Sequence, residues 1–235
     1  MASTGAGCKE ASGRPVRPRD AASLILLRLE GREHQVLVGR RPPQARFLPG
    51  RYVFPGGAVE PGDSRARPAS ALNVDLVASM AVGGKHLRAR SLAMAAVRET
   101  FEETGLLLTV PGDVGAVHSP SWSAMRARGV APALHHLAYV GRAITPVPSP
   151  IRFHARFFVA DAQHTTGALG GDSELEDLHW CAVNELARLP TIDVQSFMLA
   201  HAVATLTDND SETTGKPLFT QRAGQRYIRY FKTHP

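Results

Sequence analysis

The most constraining feature of this chain is a run of fourteen residues, Ser91 to Thr104, that lacks glycine and proline and stops at Gly105. Alanine, leucine, methionine, arginine and glutamate dominate it, and a glycine just past the last turn is a common helix stop. Wound as an α-helix, the run places Glu99, Glu102 and Glu103 within about 100° of arc, with Met94, Val97 and Phe101 on the opposite side. The spacing predicts a helix packed along one side and carrying three carboxylates on the other. Like charges at i, i+3 and i+4 repel, so the cluster calls for a cation, and oxygen ligands suit hard divalent ions such as Mg²⁺ or Mn²⁺. Gly56-Gly57, after a short strand, would let a backbone carbonyl approach such an ion.

The rest of the chain supplies a body for that helix. At 235 residues, 43% hydrophobic and 20% charged, it has enough apolar side chain for one sizeable core. No apolar run approaches the ~18 residues that would span a bilayer. Residues 1–19 lack periodicity and read as a mobile lead-in to a single domain over 20–235. Strands are expected at Ala21–Leu29, Gln35–Arg40, Tyr52–Phe54, Ala58–Glu60, Leu106–Val110, His136–Ile144, Arg152–Val159 and Tyr227–Phe231. Helices are expected near 71–82 and over 192–206. The mixture predicts an α/β domain in which a mixed sheet packs between helices.

Charge and cysteine content exclude several classes. The net charge of +6 sits at the two ends, leaving 18 basic against 19 acidic residues between positions 20 and 216. Terminal basicity of this kind is a solvated surface rather than a nucleic-acid footprint, so nucleic acid is set aside as a partner. Cys8 and Cys181 provide neither a disulfide framework nor a cysteine zinc site, and a cytoplasmic location is expected.

The segment Arg98-Glu99-Thr100-Phe101-Glu102-Glu103-Thr104-Gly105-Leu106 resembles the second half of the Nudix box, and Phe54-Pro55-Gly56-Gly57 resembles the approach to it. Gly57 stands as the opening glycine, and Asp63 where the family usually has glutamate. The 34 residues 64–97 separate Asp63 from Arg98, so the box carries an insertion, placed at about 64–90. The segment precedes the acidic helix and is expected to loop out without disturbing it. A split box of this kind resembles the subgroup typified by the peroxisomal coenzyme A diphosphatases. Ile144-Thr145-Pro146, Arg152–Phe158 and Glu174–Trp180 extend the resemblance over nearly the whole chain.

The resemblance implies a Nudix-type α/β/α sandwich that hydrolyses the diphosphate of a small nucleotide-containing substrate with Mg²⁺ or Mn²⁺. It implies Glu99 and Glu103 as principal metal ligands, with the Gly57 carbonyl and Glu102 completing the site. Arg98 would orient a helix glutamate, and the shorter Asp63 puts its own pairing role in question. The general base is expected to be Glu102 first and Glu174 second, the latter with Asp172 and Glu176 nearby. Arg41, Arg46 and Arg51 flank the approach and are candidate phosphate ligands; Arg46, Gly50 and Phe54–Gly57 also match the end of a motif of the coenzyme A branch. Coenzyme A or an acyl derivative is the leading substrate, with nucleotide-sugar or dinucleotide hydrolysis and a non-catalytic binding module as alternatives. A homodimer is a further expectation from the family.

Overall fold

The computed structural model describes residues 16–171, 174–207 and 215–231. Most of the lead-in, Cys8 and Asp172 lie outside these residues. Arg19 already opens the first strand.

A long hairpin organises the sheet. β1 (Arg19–Glu30) and β2 (Glu33–Arg40) pair antiparallel near their turn, from Leu27↔Val36 to Glu30↔Glu33. Toward its start β1 instead pairs with β4 (Gly56–Ala58), while β2 takes β3 (Tyr52–Val53) near its end. The Phe54-Pro55-Gly56-Gly57 segment is thereby inserted where the hairpin splays. On its other edge β1 runs parallel to β8 (Phe153–Asp161), which pairs antiparallel with β7 (Ala138–Ile144). The hairpin β10 (Lys216–Arg222) and β11 (Gln225–Phe231) extends the sheet from β7, and β9 (Glu176–Ala182) lies along β2. β5 (Thr109–Pro111) and β6 (Val130–Pro132) form a separate small ribbon, shorter than the strand expected over 106–110.

Helices cover both faces. α1 (Pro61–Arg65), α2 (Val74–Ser79), α3 (His86–Thr104) and α4 (Pro120–Ala127) lie over one face, and α5 (Asp193–Leu206) over the other. Leu24, Leu26, Leu37 and Phe158 point to the first layer, and Ile25, Leu27, Val36 and Val159 to the second. This alternation is the period-2 pattern of strands buried on both faces. The result is the expected α/β/α sandwich with a mixed sheet.

Three expectations are corrected. α3 is not exposed along one side: Leu92 through Arg98 are buried, and so is Glu103. It is a central helix, begun five residues earlier than the sequence implied, and it ends at Gly105 with φ 75°. The insertion is not an extruded loop. Its α2 and the following turn bury Leu76, Val77, Met80 and Val82 in the same cluster as α3, and Met80 is fully enclosed. Backbone bonds from Arg67 to Val114 and from Ala69 to Pro132 sew its first part to the rest of the domain. His136, expected to open the strand His136–Ile144, lies in a turn before β7, which starts at Ala138, and stacks on His164 at 3.7 Å.

Candidate active site

The site is assembled around Arg98, a guanidinium only 2% exposed. Its Nε and Nη2 donate to the two oxygens of Asp63 at 2.8 and 3.1 Å, a bidentate pair with Asp63 fully buried. Nη1 reaches Glu99 at 2.9 Å and Glu102 at 2.8 Å, and Nη2 also donates to the Ala58 carbonyl at 3.0 Å. Burial works against the charge of Arg98, but the hydrogen bonds and carboxylates around it prevail and hold the group above its ordinary pKa. Asp63 thus meets Arg98 despite the insertion between them. Asp63 has a local reason to be placed so well: it sits in the one-turn α1, where its carboxylate also accepts the Glu60 N–H at 2.7 Å in a reciprocal capping box.

The three helix glutamates have different surroundings. Glu103 is 2% exposed and accepts the Gly56 N–H at 2.8 Å. Burial pushes its carboxyl up to about 8; the Gly56 hydrogen bond opposes this, and the charge of Glu99 adds to it. Burial likewise raises Glu99 to about 7, against the pull of Arg98 and with the repulsion of Glu102. Glu102 is the most open of the three, and both its oxygens are engaged, one by Arg98 and the other by the Ser121 hydroxyl of α4.

Backbone approach explains the glycines. A Cβ on Gly57 would lie 2.5 Å from the Glu99 carboxylate, so glycine there leaves that carboxylate its place against β4. One turn further along, at the C-terminus of the helix, a Cβ on Gly171 would collide with the carbonyl of Glu103, and the Gly170 N–H bonds to the Thr104 carbonyl at 2.9 Å. This contact docks the loop before β9 on the end of α3 and brings Glu174 to the cluster.

A cavity of about 590 Å³ runs from these carboxylates, and Gly57, Glu99, Glu102, Glu103 and Glu174 all line it. Of the three candidate arginines, Arg41 lines it as well; Arg46 and Arg51 are exposed outside it. Glu176 pairs instead with Arg40 at 3.1 Å on the far edge of β2. Sequence reasoning missed Ser121 and α4, although Ser119-Pro120, a capping serine followed by proline, is a legible helix start.

The donors fit a hard divalent cation. Burial pushes the carboxyls of Glu99 and Glu103 up to about 7 and 8 even with Arg98 beside Glu99, so the cluster has room for further positive charge, and the space beside Gly57 is open only because no Cβ fills it. Among the described residues, no three acidic, histidine or cysteine side chains already converge as a ligand set. Glu99 and Glu102 turn to Arg98 instead, and Glu103 to Gly56. Among the described residues no helix is long and apolar enough to cross a membrane.

No protein-family model matches the chain. It is 28% identical over 178 residues to a Caenorhabditis elegans protein named "Putative nudix hydrolase 7", covering 71% of this chain and 52% of that protein. The chain therefore spans about half the length of this curated relative. Among solved structures, a NUDIX hydrolase from Alicyclobacillus acidocaldarius is 31% identical, with a TM-score of 0.59 over 80% of this chain and 92% of that one. A MutT protein from Bacillus halodurans, 13% identical with a TM-score of 0.50 over 89% of this chain and 97% of that one, shares the fold.

Proposed function

This chain belongs to the Nudix hydrolase family, and from that premise we propose that it cleaves the diphosphate linkage of a nucleoside diphosphate derivative with the help of a divalent cation. The observation that carries the reading is the convergence of Glu99, Glu102, Glu103, Glu174 and Arg41 on one cavity. Glu99, Glu103 and the Gly57 carbonyl would hold Mg²⁺ or Mn²⁺, which supplies charge neutralisation at the diphosphate and a more acidic water.

The chain's own groups divide the remaining work. Asp63 and Arg98 fix the helix glutamates from behind. Arg41 supplies a cation for a phosphate oxygen that the carboxylates would otherwise repel. Glu102 has both oxygens committed to Arg98 and Ser121, which suits a holding role. Proton removal from the attacking water is assigned to Glu174, which lines the cavity from the loop docked at the end of α3.

Coenzyme A as substrate rests on the loop arginines and the split box. Its additional 3′-phosphate would have to meet Arg46 and Arg51 on the outer surface, since they stand outside the cavity. The test is phosphate-product analysis with Mg²⁺ and with Mn²⁺ on coenzyme A, ADP-ribose, a dinucleotide, a nucleotide-sugar and nucleoside triphosphates. Cleavage of coenzyme A to 3′,5′-ADP supports the narrower reading; cleavage of another diphosphate supports the general one alone. Failure to cleave any of them would leave a binding module. Retention of full turnover by Glu174→Gln would return the base to Glu102.

A further inference from the structure

The cavity has two chemically different ends. Beyond the carboxylates it runs between β7, β8, β10 and α5, where Phe47, Phe153, Phe157 and Phe219 line it. Phe47 and Phe153 meet edge to face with ring centroids 5.0 Å apart. Into this apolar end comes Gln195, from the first turn of α5. Gln195 is 6% exposed, and its Oε1 is buried without a hydrogen-bond partner. A buried amide oxygen without a donor is uncommon in a folded protein, and one beside a ligand cavity marks where a donor is to arrive.

The surroundings narrow what that donor belongs to. The cations lining the cavity are Arg41 and Arg98, and Arg98 is already held by three carboxylates. Asp193, beside Gln195, is paired with Arg226 of β11. Among the described residues the aromatic end therefore has no spare positive charge for a phosphate or carboxylate, and its walls favour a flat ring. A flat, uncharged ring carrying an N–H donor is the chemistry of an amino-bearing nucleobase.

We propose that this end of the cavity is a nucleobase subsite and that Gln195 is its specificity residue, with Oε1 accepting a hydrogen bond from the exocyclic amino group of the base. The inference rests on the diphosphate-hydrolase reading for placing the phosphates at the carboxylate end. It adds which moiety of the substrate is read, and by which atom.

The test compares binding of adenosine monophosphate with that of inosine monophosphate, which replaces the amino group by a carbonyl, using calorimetry on wild type, Gln195→Leu and Gln195→Glu. Turnover of ADP-ribose and of its inosine analogue is measured alongside. Wild type is expected to favour the adenine compound about tenfold. Gln195→Leu should weaken adenosine monophosphate about tenfold, erase the preference, and raise KM for ADP-ribose more than it lowers kcat. Gln195→Glu, which keeps an acceptor and loses the donor, should retain the preference; thermal melting confirms that both variants are folded. An affinity ratio unmoved by Gln195→Leu, or no measurable adenosine monophosphate binding, overturns the subsite. A Gln195-dependent ratio without hydrolysis of any diphosphate would keep the subsite and remove the hydrolase reading. Hydrolysis indifferent to Gln195 would do the reverse.

Discussion

Asp63→Ala tests whether one buried ion pair joins the two halves of the split box. Asp63 is fully buried and meets Arg98, 2% exposed, through two hydrogen bonds of 2.8 and 3.1 Å. Removing one member of such a pair costs about 3–5 kcal/mol, because the remaining charge stays buried. Arg98 would keep Glu99 and Glu102, at 2.9 and 2.8 Å, which favours the lower end of that range. The Glu60 N–H would lose its acceptor at 2.7 Å, which adds about 1 kcal/mol. The expected loss is therefore about 3–4 kcal/mol. With a urea slope of about 2–3 kcal/mol per molar, the unfolding midpoint should fall by about 1–2 M. Turnover should fall as well, since Arg98 would no longer be held where it orients Glu99 and Glu102. A stability loss below about 1 kcal/mol would refute the claim that this pair closes the 34-residue segment between its partners.

Three further outcomes are expected. Gly57→Ala should leave stability within about 1 kcal/mol, because the new methyl meets the movable end of Glu99; turnover should drop about 100-fold as that carboxylate shifts, and activity within threefold of wild type would remove Glu99 from the site. Cation-free protein should lose stability as pH rises from about 4.5 to about 8: there the unfolded chain releases the Glu103 proton while the folded protein retains it, so the folded state binds more protons. The effect is at most a few kcal/mol; Glu103→Gln should flatten this slope in denaturation curves while abolishing most turnover, and an unchanged slope would contradict the burial of that carboxyl. Met80→Ala should cost about 2–5 kcal/mol by chemical denaturation, as for any enclosed core side chain, whereas a near-neutral result would make the insertion a detachable loop after all.

Much of the architecture is legible locally. The helix ending at Gly105, the hairpin of β1 and β2, the adjoining pair β7 and β8, and α5 follow from periodicity and glycine placement, because each depends on residues near one another in the chain. The acidic cluster is legible for the same reason: residues at i, i+3 and i+4 are neighbours in any helix. β9 and β10 are not legible in this way. β9 alternates poorly, Glu176-Asp-Leu-His-Trp-Cys-Ala182, since it lies at a sheet edge against β2, and β10 begins with Lys216-Pro217, a poor strand opening.

The sequence by itself therefore determined the helix, its three glutamates and the layered fold. Tertiary structure decided which part of that helix meets solvent: from Ser91 to Arg98 almost none does, because β1, β4, α1 and α4 close around it, while the insertion joins the same core. It separated Arg41, inside the cavity, from Arg46 and Arg51, which share its loop but point elsewhere. It also brought Asp63 to Arg98, Glu174 to the helix end and Gln195 to an aromatic pocket. These pairings span tens of residues, so no local pattern encodes them; they arise only when distant segments close on one core and leave particular polar atoms paired or waiting for a ligand.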